Sequence, residues 1–237
     1  MVHQKNADSN FDFATQGIDM FVDGDWVKAK GTTLGADNGM GVATIMAVLS
    51  SNELSHPALE ALFTIDEETG MTGAQGLQPA WLQGNVLLNL DTEEDNELTI
   101  GCAGGCDVTA KGCYSPLPVE TAELQGLSLT VRGLTGGHSG VDIHRGRGNS
   151  NKIMNRLLWA VCRDSNVHVA KIDGGGLRNA IPRESVAEVA FAAACESSVV
   201  AELERLRDEI QAEYASTDPD LRIEWEAIPA PKHVVPE

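Results

Sequence analysis

Residues 59–70 read Leu-Glu-Ala-Leu-Phe-Thr-Ile-Asp-Glu-Glu-Thr-Gly. The apolar run at residues 61–65 predicts a buried strand, because a run of this length that a glycine soon bounds is typical of one. Three acids, Asp66, Glu67 and Glu68, follow it at once. Carboxylates at the end of a buried strand repel one another and raise one another's pKa. The cluster is costly unless its members share a cation or a proton, so we expect chemistry at this point of the chain.

Acids adjoin two more predicted elements of the first half of the chain. Asp37 precedes a helix predicted over residues 39–50, whose apolar side chains recur at helical spacing. Asp91 follows a second apolar run, at residues 85–90. With the strand at residues 61–65, this alternation predicts a parallel type of sheet that is covered on both faces. Sites in such sheets form outside the carboxyl ends of the strands, so we expect the acids of these three places to lie close together.

Each of these acids also has a purely structural interpretation. Asp37 stands where the N-cap residue of a helix is usually found. Glu67 and Glu68 could form a solvated turn, and Asp91 could open the acidic loop at residues 93–95. Their joint pattern favours a carboxylate-rich metal site, because zinc accepts carboxylate oxygens as ligands. A further carboxylate that binds no metal would then take the proton from the metal-bound water.

The second half of the chain predicts a different architecture. Beyond a short strand at residues 97–100, the chain is rich in Gly and Pro up to residue 118. The elements predicted after it are strands at residues 124–134, 167–172, 185–193 and 221–228 and helices at residues 151–163 and 197–214. The order strand-helix-strand-strand-helix-strand is typical of a split βαβ, ferredoxin-like unit. We therefore predict an α/β domain at residues 1–118 and an α+β ferredoxin-like domain at residues 119–237.

The composition of the chain excludes several classes of partner. Lys and Arg number 17 against 35 Asp and Glu, for a formal net charge of -18, which argues against binding nucleic acid or an anionic membrane. No apolar run is long enough for a membrane span, and the first residues lack the apolar core of a signal peptide, so we predict a cytoplasmic protein. Five cysteines predict reduced thiols. A zinc knuckle at Cys102, Cys106 and Cys113 is the less favoured interpretation, because no second pair matches it.

Three motifs resemble those of the di-zinc peptidase family, which includes carnosinase and acetylornithine deacetylase. They are Gly-Ala-Asp-Asn-Gly at residues 35–39, Asp-Glu-Glu-Thr-Gly at residues 66–70 and Leu-Asp-Thr-Glu-Glu at residues 90–94. The longer strings at residues 32–39 and 136–144 most resemble the dipeptidases of this family. The resemblance implies part of a zinc-peptidase catalytic domain, followed by a ferredoxin-like lid that mediates homodimers in many members. It also implies hydrolysis of Xaa-His and related dipeptides by a zinc-activated water.

The same resemblance implies roles for the acids of the first domain. Asp37 is the carboxylate that bridges two zinc ions, for which cobalt or manganese can substitute. Glu68 is a ligand of one zinc and Asp91 a ligand of the other. Glu67 is the general base that accepts a proton from the attacking water.

In the predicted lid, the resemblance implies two further site residues. His138 matches the lid histidine that polarises the scissile carbonyl, often from the partner subunit, although between two glycine pairs it could also be a polar turn residue. Asn179 matches a lid segment that reaches toward the substrate. His144, Arg145 and Arg147 could bind a substrate carboxylate, because guanidinium forks suit that geometry, or could form lid surface.

The chain departs from the family's pattern at two metal ligands. The family's His-x-Asp motif lies ahead of a segment that resembles residues 1–5, and its last ligand is a histidine that follows the lid. Three carboxylates without these histidines would hold zinc weakly, so we expect an internal fragment of such an enzyme that is inactive alone. The alternatives are a deacylase of N-acyl amino acids from the same family and a non-catalytic remnant that associates only through its lid.

Overall fold

The computed structural model of this chain describes residues 3–6, 9–35, 37–92, 96–102, 104–120 and 123–236. The chain divides into two units, Met1–Ala103 and Gly104–Glu237, each held together by its own contacts. The domain limits 1–118 and 119–237 that the sequence suggested stay a prediction.

The first unit contains a hairpin and two helices among its described residues. Strands β1 (Met20–Asp23) and β2 (Trp26–Ala29) pair antiparallel across a turn at Gly24, whose φ of 61° glycine adopts without steric cost. Helix α1 (Gly39–Ser50) has the predicted bounds, and α2 (Thr72–Gln75) is a single turn.

The strands predicted at residues 61–65, 85–90 and 97–100 are wrong for this structure. Within residues 51–102, the described part of the chain contains no strand. The apolar side chains of these segments face solvent, with Phe63 55% exposed and Leu87 78% exposed. A buried strand exists only with a neighbouring strand to pair with and layers to cover it, and these segments have neither among the described residues. Apolar content alone therefore overstated their regularity.

The second unit has the predicted ferredoxin-like topology. Its elements are β3 (Leu117–Pro118), β4 (Leu124–Arg132), α3 (Ser150–Ser165), β5 (His168–Gly174), β6 (Ser185–Ala192), α4 (Glu196–Glu213), β7 (Arg222–Ile228) and β8 (His233–Val234). The main sheet has the order β5-β6-β4-β7 and every neighbouring pair is antiparallel, while β3 and β8 form a separate two-stranded ladder. The strands of the two repeated strand-helix-strand units, β4-α3-β5 and β6-α4-β7, thus alternate in one sheet, as the element order predicted.

The core of the second unit lies between one face of this sheet and the two long helices. Alternate residues of β4 point inward and are buried, as the period of two in a strand requires. The buried apolar side chains include Leu127, Leu129 and Val131 of β4, Val189 and Phe191 of β6, Met154, Leu157 and Val161 of α3, and Val199, Leu203 and Ile210 of α4. No helix in the described part of the chain is long and apolar enough to cross a membrane.

We expect Leu203→Ala to destabilise the second unit by about 2–5 kcal/mol, because Leu203 is 0% exposed and its loss leaves a cavity that α4 and the sheet fill only in part. Urea denaturation followed by far-UV circular dichroism measures the change. The matched control is Leu98→Ala, the same substitution at a side chain that is 99% exposed, and it should leave the free energy of unfolding nearly unchanged. Equal losses in the two variants would contradict this assignment of the core.

Candidate active site

Asp37 stands directly before α1 but does not cap it. The N-cap residue is Asn38, whose side-chain Oδ1 accepts a hydrogen bond from the backbone N–H of Gly41 at 2.8 Å. The N-cap interpretation of Asp37 is therefore wrong, because its neighbour already supplies the side-chain acceptor that the first turn needs. The carboxylate of Asp37 instead forms a side-chain hydrogen bond with Asp91.

Of the three acids after residue 65, Asp66 has a structural role, and Glu67 and Glu68 are candidates for a functional one. Asp66 adopts a left-handed backbone with a φ of 62° and closes a turn, since its carbonyl oxygen accepts the N–H of Gly70 at 3.1 Å. Its carboxylate accepts a hydrogen bond from the Thr72 hydroxyl at 2.8 Å, which joins the turn to α2. The solvated turn considered for this segment is thus present, and it presents Glu67 and Glu68 beside each other.

The chain brings the carboxylates of three separate segments together. The pKa of Glu67 is raised, chiefly by partial desolvation and then by the negative charges of Glu68, Asp91 and Asp37. The pKa of Asp91 is also raised, first by partial desolvation and then by the charge and hydrogen bond of Asp37 and the charge of Glu68. Although Glu67 and Asp91 are exposed at the surface, neighbouring atoms crowd them enough to weaken their hydration. A hydrogen bond between two carboxyl groups needs a proton on one of them, so this cluster attracts protons or cations.

The chemistry of this donor set fits a divalent metal ion, because carboxylate oxygens are ligands for zinc, manganese and magnesium. Within the described residues, however, no three His, Cys, Asp or Glu side chains converge as a metal site requires. The zinc knuckle considered for Cys102, Cys106 and Cys113 is not formed either, since these exposed cysteines do not converge among the described residues. The acidic loop predicted at residues 93–95 lies outside the described residues.

The ring of His138 is oriented by two backbone N–H groups. Its Nδ1 accepts hydrogen bonds from the N–H of Gly140 at 3.0 Å and from the N–H of Val141 at 3.1 Å. An imidazole nitrogen that accepts hydrogen bonds carries no hydrogen, so the ring proton is on Nε2. His138 is exposed and therefore presents an N–H donor from a fixed ring. The turn interpretation of His138 is therefore confirmed, and its catalytic role stays a prediction.

The second predicted lid residue, Asn179, lies next to the loop at residues 133–149 that carries His138 (the His138 loop). The carbonyl oxygen of Asn179 accepts the N–H of Ser139 at 2.9 Å, and His138 forms an antiparallel bridge with Ala180. The N–H of Ile181 donates to the carbonyl oxygen of Gly137 at 2.8 Å. The two lid segments that the sequence singled out thus form one continuous surface.

Two of the three basic residues considered for substrate binding form ion pairs within the protein. Arg145 pairs with Asp142 at 2.9 Å, and Arg147 lies 3.6 Å from the other oxygen of the same carboxylate. The N–H of His138 also donates to Asp142, and this bond, followed by the two arginines, holds the pKa of Asp142 below its usual value. His144 lies exposed in the short 3₁₀ helix Ile143–Arg145.

A cavity of about 530 Å³ opens beside the His138 loop in the second unit. It lies between that loop, the segment at residues 177–182 and the start of α3. Within the described part of the chain, its charged lining residues are Arg147, Lys152 and Arg178, all of them cationic. Arg178 also forms an ion pair with Asp107. The lining favours an anionic or carboxylate-bearing occupant.

Sequence reasoning missed one residue that shapes this surface, Asp218. Its side chain is only 1% exposed, yet it accepts hydrogen bonds from the N–H of Thr135 at 2.8 Å and of Gly148 at 2.7 Å. Burial opposes ionisation of this carboxyl, but the two N–H donors together with the side chains of Thr217 and Thr135 outweigh it, so its pKa lies below the usual value. The string Thr-Asp-Pro-Asp around it reads as an ordinary polar turn, which carries no signal of burial.

Comparison with known proteins agrees with the motif-based prediction. Residues 129–218 match the family model of a peptidase dimerisation domain, M20_dimer. The chain is 48% identical over 193 residues to the cytosol non-specific dipeptidase of Escherichia coli strain K12. The aligned segment covers 81% of this chain and 40% of that protein. It is 38% identical to the solved aminoacylhistidine dipeptidase of Vibrio alginolyticus, with a TM-score of 0.58, covering 98% of this chain and 47% of that one.

These similarities confirm the resemblance to the dipeptidases of this family. They also confirm the fold class, in which part of a peptidase domain is followed by a dimerisation domain. The chain spans less than half the length of either relative.

We expect Asp37→Asn to lower the pKa of Asp91. The substitution removes a negative charge that raises this pKa and replaces a carboxyl partner with an amide that can donate to the Asp91 carboxylate. Carboxyl ¹³C NMR titration of the chain measures the change. Asp25→Asn, in the exposed turn of the hairpin, removes the same charge elsewhere and should leave the Asp91 titration as it was. An Asp91 pKa that is unchanged in Asp37→Asn would show that the two carboxyl groups are not neighbours.

Proposed function

We propose that this chain is part of a metal-dependent dipeptidase that hydrolyses Xaa-His and related dipeptides. The observation that supports it most is the 48% identity to the Escherichia coli cytosol non-specific dipeptidase along 193 residues. The clustering of Asp37, Glu67, Glu68 and Asp91 supports it independently, because a peptide bond is hydrolysed in water only slowly without an activated nucleophile.

Within this proposal, Asp37, Glu68 and Asp91 are the residues that would hold the metal. Zinc is the metal that the family resemblance implies, and when bound it lowers the pKa of a water molecule and polarises a carbonyl group. The carboxylates supply negative charge that only a cation or a proton relieves. The mutual repulsion of these carboxylates is the physical counterpart of this role.

Glu67 is the proton carrier of the proposed reaction. A general base works best when its pKa lies near the operating pH, and partial desolvation together with the charges of Glu68 and Asp91 moves the pKa of Glu67 upward. Glu67 accepts a proton from the attacking water and later passes it to the leaving amine. In the turn, Glu67 directly precedes Glu68, so the proposed base and the proposed ligand are neighbours in the chain.

His138 stabilises negative charge in the proposed reaction. Because its Nδ1 is occupied by two backbone donors, its Nε2–H is the atom that can donate to the oxyanion of the tetrahedral state. Asn179 is the proposed substrate-binding residue of the neighbouring segment. The cationic lining of the cavity suits the carboxylate terminus of a small peptide.

Two properties of the whole protein follow by similarity. The matched dimerisation domain at residues 129–218 supports a homodimer formed through the lid. The relative that is named a cytosol dipeptidase supports a cytoplasmic location.

The activity is testable in a chimera in which this chain replaces the matching segment of the Escherichia coli dipeptidase. We expect the chimera to hydrolyse dipeptides, and Glu67→Gln to lower its kcat by about 10²- to 10⁴-fold, because the general base is lost. Metal content, measured by mass spectrometry, should stay unchanged in this variant, since Glu67 is not a ligand.

Glu53→Gln, the same substitution at an exposed glutamate, is the control and should retain full activity. Turnover of N-acyl amino acids alone would replace the dipeptidase with a deacylase, and an active Glu67→Gln variant would remove Glu67 as the base. We expect the 237-residue chain by itself to show no turnover, because the ligands matched in it are carboxylates without the two histidines of the family.

We further expect the purified chain to sediment at twice its own mass. The ferredoxin-like unit carries the residues that match a dimerisation domain and is fully formed in the structure. Sedimentation equilibrium over a series of protein concentrations measures the mass. A single-chain mass throughout the series would contradict dimerisation through this unit.

A further inference from the structure

The loop that carries His138 begins and ends at the same buried carboxylate. This loop joins β4 to α3 and spans residues 133–149. Near its start, the N–H of Thr135 donates to one oxygen of Asp218, and near its end, the N–H of Gly148 donates to the other. The Thr135 hydroxyl adds a bond of 3.0 Å to the carbonyl oxygen of Thr217, beside Asp218 in the chain. One side chain therefore closes the loop.

Asp218 is itself fixed to the core of the second unit. Its backbone N–H donates to the carbonyl oxygen of Tyr214 at 2.8 Å, at the end of α4, and its carbonyl oxygen accepts the N–H of Leu221 at 3.0 Å. Helix α4 is held against the sheet by fully buried side chains such as Leu203 and Ile210. The position of the Asp218 carboxylate is thus fixed by the packed core of the second unit.

Packing restricts the same junction. A Cβ atom on Gly148 would lie 2.5 Å from Leu134 Cδ2 and 3.4 Å from Asp218 Oδ2. Leu134 is buried, and its carbonyl oxygen accepts a hydrogen bond from Arg183 at 2.9 Å. The two ends of the loop therefore meet with no space for a side chain between them.

Inside the loop, a second carboxylate carries the constraint to His138. Asp142 accepts the N–H of His138 at 2.9 Å and lies beside Arg147, whose guanidinium donates to the carbonyl oxygen of Gly136 at 2.6 Å. Arg147 is adjacent to Gly148, which Asp218 holds. A continuous set of polar contacts thus runs from Asp218 to the backbone of His138.

We propose that Asp218 is a positioning residue that fixes the loop at residues 133–149 and, through it, the orientation of the His138 imidazole. The consequence for catalysis rests on the function proposed above. The structural statement concerns only contacts within the second unit and is testable without activity.

Asp218→Asn in the 237-residue chain tests the proposal. The amide keeps one acceptor but turns a donor toward one of the two N–H groups, so one end of the loop is released. Bonds to a carboxylate are the stronger kind, and we expect amide hydrogen exchange in the loop to accelerate by roughly 10- to 100-fold. Amides of β4 and α4 should keep their protection. In ¹⁵N NMR spectra of the imidazole, His138 should change from one Nε2–H tautomer to a mixture of two.

Asp220→Asn is the matched control, because it removes the same charge from an exposed residue two positions away. It should change neither readout. The proposal is overturned if loop exchange and the His138 tautomer are unchanged in Asp218→Asn, if Asp220→Asn has the same effect, or if loop and core amides accelerate by the same factor. The last outcome would mean that Asp218 serves global stability alone.

If Asp218→Asn does not fold, Thr135→Ala provides the second test. This variant keeps the carboxylate and both N–H donors and removes the hydroxyl that donates to the Thr217 carbonyl oxygen and also interacts with the Asp218 carboxylate. A smaller acceleration confined to the loop supports the proposal, and unchanged loop exchange overturns it. In the active chimera, Asp218→Asn should lower kcat with little change in KM. An inactive chimera would reject the proposed function and leave the exchange and tautomer measurements valid.

Discussion

The second unit depends on one apolar seam, between a single face of its sheet and the buried stripes of α3 and α4. Strand β4 is interior to the sheet and pairs with β6 and β7, so its inward side chains, Leu129 and Val131 among them, lie at the middle of the seam. The loop of residues 133–149 leaves the end of β4 and enters α3. Because core packing fixes both β4 and α3, the two ends of the loop are fixed as well. The polar contacts within the loop therefore determine only its conformation between these ends.

Charge is organised in opposite ways in the acid cluster of the first unit and in the loop carboxylates of the second. In the acid cluster, carboxylates face other carboxylates, which raises the pKa of Glu67 and Asp91. In the second unit, Asp142 and Asp218 face N–H donors, and their pKa values lie below the usual range. A carboxylate that faces other carboxylates is stabilised by a proton or a cation, which suits it to catalysis or metal binding. A carboxylate that accepts N–H hydrogen bonds is already stabilised by the protein, which suits it to a structural role.

The sequence predicted those features that depend on local pattern. The bounds of α1 and the order of the ferredoxin-like elements follow from periodicity. The grouping of Asp37 with Asp91 was also predicted, although the strand at residues 85–90 from which it was argued is not formed. The apolar runs at residues 85–90 and 97–100 failed as strands, since the strand state depends on a partner that the run itself does not encode. Asp218 was missed for the same reason: its burial is created by residues about 70 and 80 positions away. The roles of individual acids in binding metal stay predictions.

The junction of Leu134, Gly148 and Asp218 has a consequence for how this protein tolerates change. The residue tolerated at each of these positions depends on the other two. Gly148 leaves room for the Leu134 side chain, and the Asp218 carboxylate needs the N–H of Gly148 at close range. Effects of substitutions at these positions should therefore not add. A larger residue at position 148 becomes acceptable only after position 134 has shrunk, so the three sites are expected to drift as a linked set rather than one at a time.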